Sequence, residues 1–245
     1  MRKITINLAA VAAFCIVVAS PALVSSSCAT PKTEQEDTTI IREDSGITAL
    51  KYSSPEVPAS IEFCGKTIDL SRFDRHERMD RELLAFTYMH STSLQMLKKA
   101  NRYFPIVEPI LKENGIPDDF KYLMVIESNM NPTARSSAGA AGLWQFMQGT
   151  GRDYGLEVNN NVDERYHIEK ATRAACRYLK DAYAKYKDWV AVAASYNAGQ
   201  ARIASQLAKQ DVDDSLDLQL VEETARYVYR ILAAKQLFNA PTTFG

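Results

Sequence analysis

Apolar positions fall into three regimes along this 245-residue chain. The first is a nearly unbroken apolar run, Leu8 to Val18, preceded by Met1-Arg2-Lys3 and followed by Ser25, Ser26 and Ser27. A positive start, an apolar stretch too short to span a membrane comfortably and small residues at its end predict an export signal over residues 1–27. The second regime, 28–58, is polar and acidic, then punctuated by Ser and Pro, without sustained period, and reads as a tether. The third opens with a short alternation around Gly65 in "ASIEFCGKTIDL" (Ala59 to Leu70), which predicts a small hairpin. From there the spacing is helical to the end.

Helices are expected at Met79 to Lys99 and at Tyr103 to Glu113, the latter kinked at Pro109 and stopped by Asn114-Gly115. Pro117 opens the next at its tolerated first-turn position, with Asp118 and Asp119 set against the positive end of the dipole. It should end near Asn131-Pro132, because a residue before proline is pushed out of the helical region. "TARSSAGAAG" has loop composition and leads into a helix over about Ala141 to Thr150 that buries Leu143, Trp144 and Met147 and turns Gln145 elsewhere. Ala171, Ala175, Leu179, Ala182 and Tyr186 keep helical spacing from Ile168 onward. Another helix starts near Asp188-Trp189 and stops at Asn197 and Gly199 before a further helical stretch; the last spans Val221 to Phe238.

One ionisable residue breaks the pattern. Phe120, Leu123, Met124 and Glu127 sit at i, i+3, i+4 and i+7, so Glu127 lies on an apolar stripe, and no further carboxylate follows until Asp153. Desolvation there raises a carboxyl's pKa and leaves it protonated near neutral pH, able to donate its proton. The plainer reading is a glutamate at a helix end paired with Arg135 or a loop backbone. Gln145 has a similar pair of readings, a grip on hydroxyl or acetamido groups beside a groove or a solvated helix position.

Composition narrows the partners. A formal net charge of −1 and a pI near 6.3 exclude nucleic-acid binding by a strongly basic surface. His76, His90 and His167 stand in no ligand spacing, so neither a metal nor another cofactor is expected. Cys64 and Cys176 either pair or stay as buried thiols. The amphipathic helices carry no heptad seam and predict a monomer. Cys28, after "LVSSS", resembles the lipidated cysteine of bacterial lipoproteins, although ordinary cleavage near Ser26 or Ser27 also fits; acylation would anchor the chain to a membrane. The "EQED" run from Glu34 to Asp37 resembles a surface-export signal of some lipoproteins.

"ESNMNPTARSSAGAAGLWQFM", "SYNAG" and "EETARYV", in this order, resemble the soluble-type lytic transglycosylase domain, particularly the D-type membrane-bound murein transglycosylases, over roughly Asp80 to Phe238. The resemblance implies a mostly α, lysozyme-like catalytic domain with a sugar-binding groove at 106–245, behind an N-terminal extension with a helix at 59–105, in the periplasm-facing cell envelope. It also implies a role for particular residues: Glu127 as the single catalytic acid and base, with Ser128, Ser136, Gln145, Tyr196, Asn197, Glu223 and Tyr227 as substrate contacts, Glu223 being as readily structural. D-type members often carry wall-binding repeats after this domain, whereas this sequence stops shortly after its last helix, so retention at the wall is expected from the lipid or the groove.

The implied reaction uses one carboxyl where ordinary glycosidases use two. Glu127 would protonate the glycosidic oxygen between N-acetylmuramic acid and N-acetylglucosamine of peptidoglycan, and the muramic C6 hydroxyl would then close a 1,6-anhydro ring. From sequence alone Asp163, Glu164 and Glu223 remain open as second acids. The alternatives are a hydrolytic muramidase of the same fold and a non-catalytic glycan-binding scaffold lipoprotein.

Overall fold

A computed structural model describes residues 54–212 and 214–244. The expected signal, Cys28 and most of the expected tether lie outside the described residues.

The hairpin forms as expected. Strands β1 (Ser60–Phe63) and β2 (Lys66–Asp69) pair antiparallel, Ile61 opposite Ile68, through a turn whose central residues Cys64 and Gly65 both have positive φ, 53° and 81°. The turn is tied down by Asp119, which accepts from the Cys64 amide at 2.7 Å and pairs with Lys235 at 2.7 Å. Asp119 is thus a tertiary link, where its sequence position suggested a helix-dipole role.

The two expected N-terminal helices are divided differently. Helix α1 (Phe73–Tyr88) ends at Met89, and α2 (His90–Glu113) runs unbroken through Pro105 and Pro109. No Gly or Pro marks the Met89 corner; it is held by Ser93, whose hydroxyl donates to the Phe86 carbonyl at 2.7 Å. Both prolines lie on the solvent face, where water can serve the carbonyls that lose a partner, while Met96, Ala100, Tyr103, Val107, Ile110 and Leu111 keep the opposite face buried.

Helix α3 (Phe120–Ser128) follows a turn opened by Pro117 and ends in two left-handed residues, Asn129 (φ 48°) and Met130 (φ 59°), slightly ahead of the expected stop. The expected helix over 141–150 is absent. Ala134 to Met147 is an irregular loop braced by isolated bridges from Ala141 to Arg135 and to Phe146, and α4 spans only Gln148–Asp153. Leu143 and Trp144 are buried as expected, but Met147 is 45% exposed. The cause is local: Gly142 (φ 78°) and Gln145 (φ 47°) take left-handed conformations that no α-helix contains.

Helices α5 (Ile168–Tyr186), α6 (Trp189–Ala198), α7 (Gln200–Lys209) and α8 (Glu222–Asn239) complete the domain. Asp188 caps α6 by accepting from the Val190 amide at 2.9 Å, and Val190 to Ser195 are all buried, so α6 is the central helix. Helix α8 runs antiparallel to α3, since Lys235 meets Asp119 at one end and Tyr227 meets Glu127 at the other. Against its other side lies α1, joined by the forked pair of Arg226 with the buried Glu82 at 2.6 and 3.2 Å. Cys64 and Cys176 are free, which settles the alternative left open in the sequence: no disulfide joins the hairpin to α5.

Candidate active site

Glu127 occupies the last turn of α3. Leu123 to Ile126 and Ser128 around it are buried, whereas Glu127 is half-buried, the point at which this helix emerges at the surface of the core. Because nearly all of α3 is buried, the apolar stripe is not what singles out Glu127. Its neighbours come from other helices. Tyr227 of α8 donates its hydroxyl to Glu127 Oε1, so the partner is a tyrosine and not Arg135. Burial pushes the carboxyl from 4.5 up to about 7; the Tyr227 hydrogen bond and the positive Arg230 pull it back, and the negative Glu223 adds to the rise. Glu223, Tyr227 and Arg230 are spaced i, i+4, i+7 on one face of α8.

Tyr196 stands on α6, with its hydroxyl donating to the Trp144 carbonyl at 2.8 Å and its ring 6.2 Å from Phe146 and 5.1 Å from Tyr178. Burial and the charge of Glu127 hold its phenol well above the ordinary value, as they do for Tyr227, so both hydroxyls stay neutral and keep their protons. Tyr196 already gives its proton to the loop; what it offers a ligand is an oxygen lone pair.

The loop side is equally committed. Gln145 directs its amide nitrogen to the carbonyls of Ala134 at 3.2 Å and Gly142 at 2.8 Å, which leaves its carbonyl oxygen free to accept from a hydroxyl or amide. Ser136 closes a tight turn, its hydroxyl oxygen accepting from the Ala140 amide at 3.0 Å, and its own proton remains available. Ser128 is buried and donates back to Met124 at 3.3 Å within its own helix. Asn197 accepts from the Thr224 hydroxyl at 2.9 Å and approaches Glu223 at 3.4 Å, joining α6 to the start of α8.

Of the remote acids, Asp163 is bound to Arg165 at 2.7 Å, and Glu164 is held by Lys170 and by the Glu157 amide. Glu223 alone of the three bears on Glu127. Among the described residues no group of three or more His, Cys, Asp or Glu is placed to hold a metal, and no helix is long and apolar enough to cross a membrane. A separate surface cavity of about 990 Å³ at the junction of α2 and α3, lined by Pro105, Pro109, Ile116, Pro117 and Lys121 among others, contains none of these site residues.

Three contributors had no clear signal in the sequence. Arg230 reads as an ordinary helix charge until α8 is set against α3. Thr172, on α5, accepts the Trp144 indole N–H at 2.9 Å. Arg165 lies in the charged stretch "DERYH", yet it is almost fully buried against the loop. Its charged neighbours in sequence hid it.

The architecture is mostly helical and brings one carboxyl of raised pKa together with Tyr227, Tyr196, Arg230 and Glu223 from two other helices. Residues 105–217 match the model of the transglycosylase SLT domain. Over 174 residues the chain is 29% identical to membrane-bound lytic murein transglycosylase D of Escherichia coli (strain K12), covering 69% of this chain and 38% of that protein. It is also 29% identical over 150 residues to membrane-bound lytic murein transglycosylase C of Haemophilus ducreyi, covering 55% and 40%. The crystal structure of the 70 kDa soluble lytic transglycosylase of Escherichia coli shares the fold, at a TM-score of 0.50 and 18% identity over 67% of this chain and 31% of that one. The chain therefore spans well under half the length of these relatives.

Proposed function

We propose that the protein is a peptidoglycan lytic transglycosylase that cleaves the β-1,4 bond between N-acetylmuramic acid and N-acetylglucosamine without water. The observation that carries this reading is Glu127, a half-buried carboxyl raised to about 7 by its surroundings and held on one oxygen by Tyr227. The substrate class is supported by the similarity to proteins named as murein transglycosylases.

With Oε1 accepting from Tyr227, the acidic proton belongs on Oε2. Glu127 gives that proton to the glycosidic oxygen, the C1–O bond breaks, and the sugar's acetamido oxygen stabilises the positive charge at C1. The resulting carboxylate, stabilised by Tyr227 and Arg230, takes the proton of the C6 hydroxyl as O6 bonds to C1. Glu127 ends protonated again and no water is consumed. The loop groups of Ser136 and Gln145 grip the sugars, and holding O6 in reach supplies an effective-concentration advantage. In keeping with the relatives' names, the protein works in the cell envelope, with residues 1–27 as export signal, lipidated Cys28 as anchor and 28–58 as tether.

The test is mass spectrometry of fragments released from purified peptidoglycan by the chain lacking residues before Ala29, beside its Glu127→Gln variant. Anhydro-ended fragments from the first and none from the second are expected. Reducing ends would make it a muramidase with Glu223 as second carboxylate, and glycan binding without release would make it a scaffold.

A further inference from the structure

The 134–147 loop is clamped by one residue from outside it. Arg165 has a side chain 1% exposed, and its guanidinium makes a forked pair with Asp163 at 2.8 and 2.7 Å. Its remaining arm donates to the carbonyls of Gly139 at 2.7 Å and Phe146 at 2.9 Å. Gly139 closes the turn of Ser136, and Phe146 adjoins Gln145. The backbone of Arg165 acts on the same loop, because its carbonyl fills the space over Gly142, where a Cβ would approach it to 1.9 Å. Side chain and main chain of one residue therefore set the loop at Gly139, Gly142 and Phe146.

A buried ion pair is often no better for stability than apolar packing, so stability alone does not account for a buried arginine. What a guanidinium does and an ammonium cannot is bond a carboxylate with one edge and two carbonyls with another in a fixed plane. We propose that Arg165, aligned by Asp163, is a positioning residue that holds the loop in its glycan-gripping shape. The inference rests on the reading of the groove given above. Arg165 bonds no group of α3 or α8, so the pair of Glu127 and Tyr227 works independently of it. Weakening the clamp loosens the grip and leaves the acid untouched.

The experiment compares wild type, Arg165→Lys and Asp163→Asn on soluble glycan strands, with melting curves for each. In a Glu127→Gln background, calorimetry measures binding of a defined fragment. For Arg165→Lys we expect KM and the fragment's Kd to rise about tenfold, with kcat within about threefold and the alkaline limb of the rate unmoved. Asp163→Asn, which keeps the carbonyl bonds, moves both constants the same way by about threefold. If Arg165→Lys fails to fold, Asp163→Asn decides by the same criteria. Unchanged KM and Kd in folded variants, or a fall in kcat alone, overturn the inference. Fragment binding without cleavage by wild type would defeat only the reaction assigned above, and weaker binding in Arg165→Lys would still support the clamp.

Discussion

Replacing Glu127 by glutamine should abolish activity and, at alkaline pH, make the protein more stable. In the folded chain Glu127 keeps its proton up to about pH 7, whereas the unfolded chain loses it near 4.5. Between those values the folded state binds more protons, so the contribution of Glu127 to stability is whole below pH 4.5 and is lost as pH rises through 7. At about 1.4 kcal/mol for each tenfold change in the ionisation constant, the displacement amounts to about 3 kcal/mol. Glutamine removes that penalty while its carbonyl still accepts from Tyr227, but its NH2 group gains no acceptor, so a net gain of about 2 kcal/mol is expected at pH 8.5. For a domain of this size that corresponds to roughly 4–8 °C in melting temperature. At pH 4 the variant should show no such gain. Thermal melts of both proteins from pH 4 to 9 test this, and a difference that does not change with pH, or a variant less stable than wild type at pH 8.5, would refute the reasoning.

Tyr227→Phe removes the hydrogen bond that favours the ionised carboxylate, a charge-assisted bond of about 1.5–3 kcal/mol. The alkaline limb of kcat/KM should move up by roughly 1–2 pH units with a lower maximal rate, and a pH–rate profile identical to wild type would count against the pairing. Gly142→Ala places a methyl on the Arg165 carbonyl at a residue with φ 78°, so a loss of about 3 kcal/mol or more is expected. Denaturant melts check it, and a wild-type midpoint would mean that the loop can shift to make room.

Legibility differed between elements for reasons that can be named. Hairpin, α5, α6 and α8 were readable because each carries its own local signal: a positive-φ glycine turn, a repeating alanine stripe, a capping Asp188, a long apolar period. The Met89 corner and the irregular 134–147 loop were not, because both are held by side-chain bonds that no local spacing announces. Phe86 receives the Ser93 hydroxyl at the first, and Arg165 braces the second. "GLWQFM" has a helical composition in isolation; two left-handed residues and a buried guanidinium overrule it. The break expected between Lys99 and Tyr103 is absent, because the buried face of α2 runs on unbroken from Met96 to Leu111.

Sequence by itself determined that the domain is helical, that one carboxyl sits alone among apolar neighbours, and which motifs accompany it in order. Those are properties of spacing, which the chain carries locally. Only tertiary structure decided the chemistry of that carboxyl. Its raised pKa comes from packing against other helices, its bound oxygen from a tyrosine one hundred residues later, and its charge balance from Arg230 and Glu223 on the same face of α8. Desolvation and Coulomb interaction depend on distance through space, and distance through space is what folding sets.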